Sequence, residues 1–170
     1  MLHILAGAMA LAGAGTPPEK PSEDQGESPA FQTLKVADHN ALNERLGGKL
    51  PFVPVIKVQA GQLVFISGVV GVPEDYDPKL RYSDTIEVQA ERVFSRLEDR
   101  VRAAGGSLQD IVQVTKFMTN LDDHPAVTAV MLRHFGDHLP TSTTVEVQRL
   151  IPVGFGLEVN AIAVIRPSAP

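Results

Sequence analysis

The chain has 170 residues and a mass of 18.3 kDa, 44% of them hydrophobic and 21% charged, which is apolar material enough for one packed domain and excludes disorder throughout. Fifteen Lys and Arg against twenty Asp and Glu leave a net charge of −5, which argues against a nucleic-acid surface that works by neutralising phosphates. There is no cysteine, so disulfides, thiolate nucleophiles and Cys-ligated metal sites are excluded, and the redox compartment stays open.

The N-terminus differs in character from the rest. Leu2 to Ala12 is an apolar run without Lys, Arg, Asp or Glu, shorter than the roughly 20 residues that span a bilayer. Ala10, Ala12 and Ala14 offer A-x-A cleavage patterns, and a segment rich in Pro and acidic residues follows. The pattern predicts a signal peptide over residues 1–14 and a disordered tail over 15–30, with export to the periplasm or medium. Because the first residues carry His3 and no Lys or Arg, a cytoplasmic leader stays open as the alternative. No membrane anchor is expected.

A single domain is expected over residues 31–166, with a short tail at 167–170. Val53 to Val58 and Gln62 to Val72 read as two strands joined at Ala60-Gly61. The second, LVFISGVVGV, is apolar at both parities and is expected to be covered on both faces. A loop, PEDYDPKLRYS, leads to a helix capped by Ser83 or Asp84, with Glu87 three residues past Asp84. Ile86, Ala90, Val93, Leu97, Val101 and Ala104 form its apolar stripe, and Gly105-Gly106 ends it.

Asp110 to Thr119 reads as a strand. A second helix follows with Pro125 in its first turn and Val127, Val130, Met131, His134 and Phe135 on one face. Two last strands are predicted at Thr143 to Arg149 and Gly156 to Ile165. The fold class is α+β, in the order β-β-α-β-α-β-β, with a mixed sheet and two helices on one face. Two helices cover one face of such a sheet, and the apolar residues left over predict a homo-oligomer.

The motifs point weakly to chemistry. His134 and His138 have a metal-compatible spacing of four but no third ligand at a motif distance, so no metal is expected. His124 beside Asp122 and Asp123 reads as helix-entry polarity, and Ser142, Thr143 and Thr144 as strand formers. Glu158 stands out, a carboxylate between Leu157 and Val159 in an apolar strand. It is either salt-bridged at a strand end or held in a cleft where it orients a water or acts as a base.

The runs GQLVFISGVVGV, AAGGSLQDIVQVTKFMTNLDD and HFGDHLPTSTTVEVQRLIPVGFGLEVNAIAV, with Gln89-Ala90 between the first two, resemble the YjgF/RidA family over Pro51 to Ile165. The resemblance implies a chorismate-mutase-like fold assembled as a homotrimer, with small-molecule clefts between subunits. It also implies hydrolysis of reactive enamines and imines to ketones and ammonia, without a cofactor. Carried over by position, Ser67, Gly68 and Glu158 are kept, with Glu158 the catalytic candidate.

Other family positions depart. The Arg expected to grip a substrate carboxylate falls on Ser142, the cleft Asn and Tyr fall on Thr128 and Met131, and the Gln after Ser-Gly falls on Val69. Ser142 or Thr144 would then hydrogen-bond the substrate. Arg149 matches a different family position, so a carboxylate substrate would call on another cation, Lys57 or Lys116 of a neighbouring subunit. The resemblance therefore implies an atypical substrate or, as the alternative, a non-catalytic binding or sensing protein on the same trimer. Ribonuclease action is disfavoured by the acidic balance and the missing Arg.

Overall fold

The computed structural model describes residues 30–48, 50–151 and 153–166. The expected signal peptide, all but the last residue of the expected tail, and the C-terminal tail lie outside them. The elements are β1 (Phe31–Leu34), α1 (Ala37–Arg45), β2 (Val55–Val58), β3 (Gln62–Val70), α2 (Ile86–Ala103), β4 (Ile111–Met118), α3 (His124–Phe135), β5 (Thr141–Glu146) and β6 (Leu157–Ile165). β1 and α1 precede the elements read from the sequence. α1 buries none of its residues, so it has no apolar stripe to betray it, and β1 is only four residues long.

β3, β6, β4 and β5 form one sheet in that order, with β4 and β5 parallel and the other neighbours antiparallel. The architecture is α+β with a mixed sheet. β1 and β2 pair separately, from Phe31 opposite Val58 to Leu34 opposite Val55. Their Phe31 and Ile56 pack with Ala30, Val112, Ile162 and Val164 in a small second core.

The main core lies between the sheet and its two long helices. From α2 it takes Ala90, Val93, Phe94, Leu97 and Val101, from α3 Val127, Val130, Met131 and Phe135. The odd positions of β6 from Leu157 to Ile165 meet them, as do Val114 and Met118 of β4. The even positions of β6 therefore face the other side of the sheet.

Several boundaries differ from the sequence reading, each for a local reason. The N-cap of α2 is Thr85, not Ser83 or Asp84, because the Asp84 carboxylate is engaged by Arg92 Nη1 at 2.5 Å. β3 stops at Val70 because Gly71 runs against α2, where a Cβ would lie 2.4 Å from the Gln89 carbonyl oxygen. β5 spans Thr141–Glu146, not Thr143–Arg149, because its parallel pairing with β4 starts at Gln113 opposite Thr141 and ends where β4 does, at Met118.

β3 is an edge strand, and α2 covers its rim. Arg92, Arg96 and Arg100 stand one turn apart and donate to the carbonyls of Gly71, Val70, and Ser67 and Gly68 in turn. A cationic row of this kind blocks further strand pairing at the edge. The opposite face of β3 is bare within a protomer, with Leu63 58% and Phe65 74% exposed, so a single chain covers the strand on one face only.

Candidate functional site

A bulge in β3 builds the first half of the site. Between Ile66, paired with Ala161, and Val69, paired with Val159, the two residues Ser67 and Gly68 oppose the single residue Asn160. The Glu158 side chain lies over this bulge, so close that a Cβ on Gly68 would meet Glu158 Oε1 at 1.8 Å. Arg100 holds the bulge from the edge through both carbonyls. Beside it, Phe65, Ser67, Gln113, Thr115, Asn160 and Ile162 line a hollow of about 340 Å³ on the open face. Ser67 and Gly68, adjacent on β3, and Glu158 on β6 thus form one cluster: a carboxylate beside a hollow of mixed polar and apolar lining, which can orient a water and take its proton.

Ser142 and Thr144 lie elsewhere. They are on β5, at the opposite edge of the sheet from β3, three strand spacings or roughly 14 Å away. Ser142 is paired with Val114 and Thr144 with Lys116, so both share the helix-facing side, whereas Glu158 is on the open side. Within one protomer the structure therefore does not bring them to Glu158.

What it does bring to Ser142 and Thr144 is Lys116. This lysine occupies a helix-facing position of β4 between Val114 and Met118, and it is 1% exposed. Burial lowers its pKa from 10.5 to about 8. His124, the first residue of α3, is pushed below the usual histidine value by its own burial and then by the Lys116 charge, and its Nε2 lies 3.4 Å from Thr128 Oγ1. Thr128 thus belongs with this second cluster. The alternation of β4 makes Lys116 the one charged residue at an inward position, a signal present in the sequence although the reading assigned it only to a neighbouring subunit. Lys57, its companion in that reading, is exposed on β2.

Val69 and Met131 are 1% and 0% exposed and belong to the core, so neither lines a cleft in the protomer. His134 and His138 diverge, Nε2 of one lying 2.8 Å from Glu91 Oε2 and that of the other 2.9 Å from the Ile111 carbonyl oxygen. A further hollow of about 610 Å³ lies between Asp84, Arg149, Leu150 and the residues Val153, Gly154, Phe155 and Gly156. Its floor includes Gln89, which is buried and bridges the Asp84 carbonyl and the Gly156 N–H, a role the helix pattern did not reveal.

Residues 43–165 match the model of the family described as Endoribonuclease L-PSP. The chain belongs to this family, the YjgF/RidA family. It is 34% identical over 114 residues to the protein DfrA of Myxococcus xanthus, covering 67% of this chain and 85% of that one. It is 32% identical over 108 residues to a 2-iminobutanoate/2-iminopropanoate deaminase of Dermatophagoides farinae, covering 64% and 82%. The solved RidA structure from an Antarctic Psychrobacter superimposes with a TM-score of 0.55 at 30% identity, over 64% of this chain and 85% of that one. Set against the YjgF/RidA pattern, the kept positions Ser67, Gly68 and Glu158 are those clustered at the bulge, whereas the departures at Thr128 and Ser142 gather around Lys116.

Proposed function

We propose that the protein hydrolyses reactive enamines or imines to carbonyl compounds and ammonia, at clefts completed by neighbouring copies in a homotrimer. The observation that carries the reading is the Glu158 carboxylate laid over the Gly68 bulge beside a hollow of mixed polar and apolar lining. Relatives named as imine deaminases supply the reaction class. Glu158 accepts a proton from water as the oxygen attacks the C=N carbon, and the proton passes to the nitrogen, which leaves as ammonia. The bulge shapes the wall against which the substrate lies.

The trimer reading rests on two features. Leu63 and Phe65 leave an apolar strip on the open face, and the site is incomplete in one protomer, since Ser142 and Thr144 lie across the sheet from Glu158. A second copy that sets its β5 edge against the first copy's open face both buries the strip and joins the two halves. The substrate is atypically anchored, because Ser142 occupies the position of the family's Arg and offers one neutral hydroxyl. RNA is disfavoured as a substrate by the net charge of −5.

Ammonia release from a panel of imines, generated in place from amino acids and amines by oxidases, tests the reading. Wild-type protein is expected to accelerate release over buffer, and Glu158→Gln to lose roughly 100-fold or more of that activity with folding unchanged. A full panel without acceleration would overturn the hydrolase in favour of a binding protein, and undiminished activity of Glu158→Gln would remove Glu158 from its role.

A further inference from the structure

Lys116 is a buried cation with no ion-pair partner among the described residues. Among the described residues it makes no hydrogen bond or ion pair, and no side-chain nitrogen or oxygen there is both wholly buried and unbonded, so its slight exposure lies at the ammonium. Thr144 flanks it on β5, with Ser142 two residues before on the same face. From α3 it is faced by His124, whose pKa is held below the usual histidine value by burial and then by the lysine's charge, and whose Nε2 lies 3.4 Å from Thr128 Oγ1. The nearby acids are otherwise placed. Glu146 Oε2 accepts from the Leu121 N–H, and Asp122 and Asp123, in the turn before α3, form no ion pair with the lysine. The twelve-residue α3 begins at this point and adds the positive end of its dipole.

A desolvated ammonium among hydroxyls and a helix start is a receptor for negative charge. We propose that Lys116, with Ser142, Thr144, Thr128 and the start of α3, forms an anion pocket at the β5 edge that takes the carboxylate of a small 2-imino acid. The identity of the reacting group rests on the imine-hydrolase reading; the capture of a carboxylate does not. Lysine contributes a point charge in place of a bidentate fork, and the hydroxyls supply the directional bonds. It also differs from a guanidinium in titrating just above neutrality, so the anchor is lost as pH rises through about 8.

The test uses 2-oxobutanoate, the carbonyl product of 2-iminobutanoate hydrolysis, titrated calorimetrically into the full-length protein from pH 7 to 9.5, with 2-butanone as the neutral control. Affinity for 2-oxobutanoate is expected to fall about tenfold per pH unit above about 8, and about tenfold or more at pH 7 in Lys116→Met, with no such change for 2-butanone. In turnover, KM for 2-iminobutanoate should follow the same pH curve. Binding that is absent at pH 7, or indifferent to both pH and Lys116→Met, overturns the pocket. Lys116-dependent binding without ammonia release from any imine keeps the pocket and removes the hydrolase reading. Turnover of 2-iminobutanoate with a KM unmoved by Lys116→Met does the reverse.

Discussion

Replacing Lys116 by Met should make the protein more stable, and the gain should disappear in alkali. Lys116 is 1% exposed and has no ion-pair partner among the described residues, and burial brings its pKa to about 8 from the 10.5 of an open chain. Since the fold binds the proton more weakly than the unfolded chain does, the charged lysine opposes folding. That opposition is complete below pH 8, where both states are protonated, and it fades as pH rises from 8 to 10.5, where the fold gives up its proton first. The gap between the two values corresponds to about 3 kcal/mol. Met has a similar length and no charge to desolvate, so at pH 7 Lys116→Met should gain about 1–3 kcal/mol, seen as a higher urea midpoint and a melting temperature raised by about 3–10 °C. At pH 10 the advantage should shrink to about 1 kcal/mol or less. Paired urea titrations of ligand-free wild type and variant at pH 7 and 10 make the comparison. A variant less stable than wild type at pH 7, or a difference that does not change with pH, would refute the reasoning and would mean that a carboxylate, from a neighbouring copy for instance, already pairs with the lysine.

Other outcomes follow from close approaches and exposed surface. Gly68→Ala places a methyl 1.8 Å from Glu158 Oε1 and must turn the carboxylate aside, so ammonia release should fall while the melting temperature changes little, the obstacle being the end of a side chain. Gly71→Ala meets the Gln89 backbone at 2.4 Å, where nothing can swing away, and should cost about 1–3 kcal/mol by chemical denaturation. Light scattering at micromolar concentration should give close to three chain masses for the wild type, and Phe65→Asp, at a position 74% exposed in the protomer, should shift it to monomer; a wild-type monomer would contradict the assembly. N-terminal sequencing of protein from its host should find a chain that starts near Gly15, and an intact Met1 in the cytoplasm would end the export expectation.

The principal helices and strands were legible because their signals are local. The stripe from Ile86 to Val101 has helical period, the apolar positions of β6 have period two, and the family runs lie on these same segments. α1 and β1 were missed because neither writes a strong periodic apolar pattern. Glu158 could be singled out from the sequence, since a carboxylate in an apolar strand is costly unless it is used. Its partner at Gly68 depends on a bulge that sets two residues against one, and a register of that kind arises from pairing between strands about ninety residues apart.

The same limit governs the rest of the site. The family resemblance groups Ser142, Thr144, Thr128, Met131 and Val69 as cleft residues, yet which of them meet is decided by strand order and by the face each side chain occupies. Order places β5 three strands from β3, and parity sends Ser142 and Thr144 to the helix side beside Lys116 while Glu158 takes the open side. Composition determined that this chain has no thiol chemistry, has too little positive charge for bulk phosphate binding and has apolar strand surface to hide. Only the tertiary structure decided that Arg96 and Arg100 of α2 are spent on carbonyls of β3, and that a buried lysine under α3 has no ion-pair partner among the described residues, because both follow from packing between elements that no local pattern encodes.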